Sequence, residues 1–372
     1  MTLRFHAPYM EWAKTRPVPR FDLATSSMLA CPIDELPGAR DAVALTGSND
    51  NGYAPLMQAI AARYGVGADQ VTTAQGASGA NFLVCAALLG IGHEVLVERP
   101  GYDPLLAAPR LMGAGTARFD RDFSSGFGLD PDRVRRAMTP ATKLIILTSP
   151  HNPSGVIVDR AALIEIGQIA GANDAHVLVD EVYLDATVAS TVNGDGPPLS
   201  TAGTTAAQLG EMFIATSSLT KSYGLSGLRC GWILSSAAVA ERLRRARDVV
   251  DGTGPIVTER LAALAFERLD LLIARSKALL ETNGSIVRDF LTSRKDVEWA
   301  DPHGGTVVFP RLRDVTDSRI FVERLFAERD TAVVPGRFFE APAHFRIGFG
   351  GPTEPLLGGL AEIGAALDAR AW

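Results

Sequence analysis

From Tyr53 onward, apolar and polar positions follow two alternating periods. Leu56, Met57, Ile60 and Tyr64 recur at helical spacing, and Gly65 follows as a stop, which predicts a helix. Short apolar runs at 71–73, 94–97, 143–147, 176–179, 212–215 and 230–234 are too brief for helices and read as buried strands. Helical runs separate them at 82–89, 104–112 and 241–250, with another from the N-cap candidate Asp159 to about residue 170. Strands that alternate with helices predict an α/β fold, a mostly parallel sheet flanked by helices. Residues 1–45 are irregular, with a short helix at 9–14 after Pro8 and an extended piece at 21–24, and read as an arm. Residues 190–205 read as a surface loop. Asp251-Gly252-Thr253-Gly254-Pro255 is the best breakpoint. Beyond it come long amphipathic helices over 257–292, short strands at 306–309, 331–334 and 345–349, and a last helix over 354–369. The expected organisation is an arm (1–45) that belongs with the small domain, a large domain (46–254) and a smaller α+β domain (255–372).

Composition narrows the function classes. A chain of 372 residues accommodates two domains. Its net charge of −6 supplies no footprint for nucleic acid or an anionic membrane surface. The longest apolar stretch, 82–91, is too short to span a bilayer. The N-terminus lacks the apolar core of about 7–15 residues that marks a signal peptide. Three cysteines, Cys31, Cys85 and Cys230, form no CxxC pair, which suits a reducing cytoplasm. His6, His93, His151, His176, His303 and His344 form no HExxH motif, and no metal site is expected.

The candidate chemistry centres on Lys221. It stands in a loop of small and hydroxylated residues between two apolar runs, with Arg229 eight positions on. A lysine held out of water loses proton affinity, and its neutral amine can attack a carbonyl to form a Schiff base. Ser218 and Arg229 offer a hydroxyl and a guanidinium to a phosphate. Asn152, Asp180 and Lys221 each lie at or just past the end of an expected strand, where ligands bind in parallel sheets. Gly76-Ala77-Ser78-Gly79-Ala80 reads as a small-residue turn between a strand and the helix that follows, as in a phosphate cradle, yet it matches neither GxGxxG, nor a P-loop, nor a GxSxG elbow. Taken singly, these residues also have plain readings. Lys221 suits a solvated surface, Asp180 a strand-end cap, Asn152 a turn and Tyr102 an ordinary core position. Arg346 in an apolar strand is harder to explain so, because an unpaired buried guanidinium is costly.

Together these segments resemble the class I/II aminotransferases, pyridoxal-phosphate (PLP) enzymes of the aspartate aminotransferase fold (fold type I). Five pieces carry the resemblance in order over about residues 50–350: Gly76 to Ala80, Pro150-His151-Asn152-Pro153-Ser154-Gly155, Asp180-Glu181-Val182-Tyr183, Ser218-x-x-Lys221-x7-Arg229, and Pro335-Gly336 followed by Phe345-Arg346. The resemblance implies a homodimer with active sites at the interface, acting on amino acids and 2-oxo acids. It implies that Lys221 holds the cofactor as a Schiff base and moves the proton, and that Asp180 pairs with the pyridine nitrogen. Tyr183 and Asn152 would bond the phenolate oxygen, and Tyr102 would stack on the ring. Ala77, Ser78, Ser218 and Arg229 would anchor the phosphate, and Arg346, with Asn152 beside it, would receive the substrate α-carboxylate in a bidentate fork.

The chain departs from that pattern in three places. Gly47 stands where many relatives carry a tyrosine that reaches the neighbouring subunit's phosphate, so that contact is absent or falls to Asn49 or Asn51. Leu23-Ala24-Thr25-Ser26-Ser27-Met28 replaces the usual Gly-x-Pro near the substrate. Arg337 follows Pro335-Gly336, where it either reads a substrate acid group or is a solvated surface arginine. The expected activity is an aminotransferase. A lyase or cyclising synthase on the same scaffold is the alternative. A PLP-binding regulator fits less well, because only about 45 residues precede the fold and they show no helix-turn-helix pattern.

Overall fold

The computed structural model describes residues 6–187, 204–302 and 304–370. Most of the loop expected over 190–205, and His303, lie outside the described residues. The described strands in the first half are β1 (Phe21–Asp22), β2 (Val71–Gln75), β3 (Glu94–Arg99), β4 (Gly115–Asp120), β5 (Thr142–Thr148), β6 (His176–Asp180), β7 (Phe213–Ser218) and β8 (Cys230–Leu234). Later strands are short: β9 (Val297–Glu298), β10 (Val307–Val308), β11 (Arg311–Leu312), β12 (Thr331–Ala332), β13 (Val334–Pro335) and β14 (Phe345–Gly348). The helices are α1 (Pro8–Thr15), α2 (Ala54–Tyr64), α3 (Gly76–Leu88), α4 (Pro104–Leu111), α5 (Pro131–Ala137), α6 (Arg160–Gly171), α7 (Ala237–Val250), α8 (Ile256–Phe266), α9 (Leu269–Ser293), α10 (Arg319–Arg329) and α11 (Thr353–Asp368).

Seven strands make one sheet in the order β2-β8-β7-β6-β5-β3-β4. Only β8 runs against its neighbours, so β2 and β3 to β7 all point their carboxyl ends to one edge. The central strands are apolar on both faces, as a sheet covered on both sides requires. Leu144 and Ile146 of β5 pack toward α3, α4 and α7, whereas Ile145 and Leu147 pack toward α6 on the other face. Asp159 caps α6 by accepting from the Ala161 N–H at 3.3 Å. Gly65 ends α2 in the left-handed conformation, φ +62°.

The remaining strands form small sheets, β10-β14-β13 and the pairs β1-β12 and β11-β9. They share a core with α9, α10 and α11, built on Leu280, Val287, Phe321, Leu325, Phe345 and Ile363. β1 pairs parallel with β12, which ties the N-terminal segment to this core. α8 and the start of α9 pack instead with α2 and Trp232 of β8, so residues just past the 254/255 breakpoint share a core with the large sheet.

Three differences from the sequence pattern have physical reasons. Residues 76–81 are not a turn before a helix but the first turns of α3. β4 carries no apolar run because it is an edge strand, with only Phe119 fully buried. α10 is rich in arginine and glutamate and reveals itself only through Phe321, Val322 and Leu325.

Candidate functional site

Five strand ends converge on a cavity of about 240 Å³ lined by Lys221, Asp180, Tyr183, Asn152, Ala77, Ser78, Tyr102, Ser218 and Arg229. Nine of the ten residues expected at the site therefore line one cavity. Arg346 joins through a hydrogen bond to Asn152, one of the lining residues.

Lys221 follows β7 by three residues, and its Nζ donates to Ser26 Oγ at 3.0 Å and Ser27 Oγ at 3.2 Å. Burial first, then the Arg346 and Arg229 guanidiniums, push its pKa down to about 8, and Asp180 pulls the other way. The amine is thus partly neutral near physiological pH.

Asp180 is the last residue of β6 and is buried. Its Oδ2 accepts from Asn81 Nδ2 at 2.8 Å and its Oδ1 from the Val182 N–H at 3.1 Å. Asn81 is held in turn by Thr216, whose hydroxyl donates to Asn81 Oδ1 at 2.6 Å. Burial raises the Asp180 pKa, opposed by those two hydrogen bonds and by Lys221. Asp180 and Tyr183 would face opposite ways on a continuous strand. The chain turns instead, with the Leu184 N–H donating to Glu181 O at 2.8 Å, which swings Tyr183 into the cavity. Burial pushes its phenol up to about 12.

Arg346 on β14 is fully buried. Its Nη1 donates to Asn152 Oδ1 at 2.9 Å, and its Nη2 donates to Tyr9 OH at 2.8 Å and Ala24 O at 3.1 Å. Its charge lies 5.3 Å from the Tyr9 ring and 5.1 Å from the Phe339 ring, and its Nε is unpartnered. Asn152 is fixed from behind, since its N–H donates to Thr148 Oγ1 at 2.9 Å. Thr148 donates through its N–H and hydroxyl to Glu98 Oε1 at 2.7 and 2.6 Å. Glu98 pairs with Arg121 at 2.8 Å, both fully buried.

At the other end of the cavity, α3 begins without a side-chain cap, leaving first-turn N–H groups free near Ala77 and Ser78. The Arg229 guanidinium lies against Gly76, where a Cβ would come within 2.5 Å of Nη2. Gly76 also has φ +71°, so only glycine admits both the turn and the arginine. A cationic guanidinium beside uncapped N–H groups is chemistry for a dianion. The cavity accordingly fits a phosphate-bearing aromatic aldehyde, with an amine to bond its carbonyl, a carboxylate for a ring nitrogen and the Tyr102 ring as a flat wall.

Tyr9, Ser26 and Asn81 also line the cavity, and the sequence reading assigned them no role. Asn81 had a usable signal, since positions 77, 78 and 81 share one face once 76–81 is helical. Tyr9 and Ser26 come from the irregular arm and had none. The two asparagines offered as substitutes for a tyrosine at Gly47 differ in setting, Asn49 being buried and Asn51 exposed. Asn49 donates to Gly254 O and to Glu259 Oε2, and Asn51 Oδ1 accepts from Arg245 at 3.3 Å. Arg337 is exposed, lies over the Phe338 ring at 4.8 Å and borders a separate groove with Trp12 and Arg16.

The family described as aminotransferase class I and II matches residues 25–363. Among characterised proteins, the chain is 31% identical to the capreomycidine synthase of Streptomyces vinaceus, an alignment covering 85% of this chain and 79% of that protein. A PLP-dependent aminotransferase from Streptococcus suis superposes with a TM-score of 0.89 at 26% identity, covering 100% of this chain and 99% of that one. A PLP-dependent cyclase, OrfR, superposes with a TM-score of 0.85 at 28% identity, covering 98% of each chain.

Proposed function

The chain belongs to the class I and II aminotransferase family and is a pyridoxal-phosphate-dependent aminotransferase of fold type I, and from that premise we propose a role for each residue of the cavity. Lys221 carries the cofactor and handles the proton as the amino group passes from an α-amino acid to a 2-oxo acid. The observation that supports this most directly is the Lys221 amine in one cavity with Asp180 and Asn152, the last bonded to Arg346 just behind it.

Bound there, the cofactor supplies an electron sink for charge released at the substrate's α carbon. Asp180, oriented by Asn81, would hold the pyridine nitrogen, and a cationic partner there would offset the burial that raises its pKa. Tyr183 and Asn152 would donate to the phenolate oxygen. Tyr102 would cover the ring. The Ala77 and Ser78 N–H groups, Ser218 and Arg229 would hold the phosphate. Arg346 takes the α-carboxylate, and its unpartnered Nε shows donor capacity to spare. With a pKa of about 8, the Lys221 amine takes and returns a proton at the α carbon near neutral pH.

The same reading makes the protein a cytoplasmic homodimer. Its cysteines are free, and no helix among the described residues is long and apolar enough to cross a membrane. Leu45, Val249 and Val250 are exposed and offer apolar surface to a second subunit. The large domain then ends at about 254 by chain order, with α8 remaining attached to its core.

A second reading, a lyase or cyclising synthase, draws support from Ser26 and Ser27 at the Lys221 amine, and from the synthase and cyclase among the similar proteins. One experiment separates the two. The loaded enzyme is mixed with amino acids one at a time, and its visible band is followed while products are analysed. An aminotransferase loses the band to a stable form that a 2-oxo acid restores. If the band returns unaided while ammonia or a ring product appears, the aminotransferase reading fails. Arg346→Lys is expected to raise KM for the amino acid roughly 10- to 100-fold, the worth of one charge-assisted hydrogen bond, with a smaller change in kcat. An unchanged KM would remove Arg346 from the carboxylate site.

A further inference from the structure

Resting on the reading of Lys221 as the cofactor-bearing lysine, we infer that Ser26 is a positioning residue for that amine, aiming it across the cavity and setting its proton affinity whenever it is not bonded to the cofactor. Three observations meet at this hydroxyl. It stands 3.0 Å from Lys221 Nζ, with Ser27 Oγ a second acceptor at 3.2 Å. It also eases ionisation of the Tyr183 phenol, so one hydroxyl acts on both Lys221 and Tyr183. It is buried, and its backbone is fixed, because Thr306 donates to Ser26 O at 2.7 Å and the Met28 N–H donates to Lys221 O at 3.3 Å. A solvated serine of the arm would show none of these.

The charges facing the amine explain why a hydroxyl is useful. Arg346 from β14 and Arg229 ahead of β8 disfavour its protonation, and burial does the same. Among the described residues, Asp180 at the end of β6 is the anion acting against them, and Tyr183 and Tyr102 remain neutral across the working range. Hydroxyl oxygens that accept from the ammonium raise its proton affinity without adding charge near the substrate carboxylate. Ser26 thereby holds the amine near the point where it both takes and releases a proton.

The test follows how fast the visible band grows when cofactor-free protein is mixed with pyridoxal phosphate at a series of pH values. Only neutral amine attacks the aldehyde, so the rate rises with pH through the Lys221 pKa. In the native chain the midpoint is expected at about 8. Ser26→Ala removes an acceptor of the charged form, so the midpoint moves down by roughly half a unit to one unit, and the plateau rate falls roughly 3- to 10-fold. Ser26→Thr, which keeps the hydroxyl, restores both. An unchanged midpoint in Ser26→Ala, or a failure of Ser26→Thr to restore it with thermal stability intact, overturns the inference. Failure of the parent reading looks different, because the native chain would then form no band, or Lys221→Ala would still form one.

Discussion

Lys221→Ala is expected to bind pyridoxal phosphate without bonding to it and to lose roughly 10⁴-fold or more in turnover. The loss combines two roles. Without the amine there is no covalent attachment, and no positioned base for the α proton, a contribution of about 10²–10⁴-fold by itself. Lys221→Arg should fall equally low. A guanidinium keeps the charge but is not deprotonated at neutral pH, so it neither attacks a carbonyl nor accepts a proton. Stability should be little changed, because burial and two nearby guanidiniums already disfavour the ammonium. The checks are the visible spectrum of the dialysed protein, steady-state rates and a thermal melt. If the alanine variant retains a tenth of native turnover, Lys221 is not the reacting lysine.

The parts of this site legible in the sequence were those whose position follows from strand ends. Asp180, Asn152 and Lys221 lie at or within four residues of the carboxyl ends of β6, β5 and β7, and those strands announce themselves as apolar runs. What stayed hidden depends on contacts between distant segments. Tyr9 reaches Arg346 across 337 positions, and Ser26 reaches Lys221 across 195. Neither partner alters the local pattern around the other. Asn81 was obscured for another reason, because glycine and alanine in 76–80 read as a turn. The free end of α3 and the close approach of Arg229 at Gly76 explain those small residues. The Arg118- and Arg121-bearing edge of the sheet was missed because its charges break the apolar period. One of those charges turns out to be buried.

Arg121→Met is expected to lower stability by about 3–5 kcal/mol, enough to depress Tm by roughly 4–6 °C. Arg121 and Glu98 are both fully buried, and removing either leaves the other as an uncompensated charge in the core. Replacing both, as Glu98→Gln with Arg121→Met, should recover much of the loss, because a buried pair is worth little more than a well-packed neutral one. The pH dependence of the single variant has a definite sign. Burial raises the Glu98 pKa and Arg121 opposes that rise, so without Arg121 it climbs further. A group whose folded pKa is raised is stabilised when protonated, so the variant's deficit is smallest at acid pH and grows as pH rises through that pKa. The damage should also reach the active site. Glu98 Oε1 fixes Thr148, Thr148 accepts from the Asn152 N–H, and Asn152 accepts from Arg346. At temperatures where the variant is folded, KM for the amino acid should rise more than kcat falls. Thermal melts at pH 5 and pH 8 with steady-state kinetics decide the matter. A Tm within about 2 °C of native at both pH values would mean that the ion pair neither holds the core together nor supports the carboxylate site.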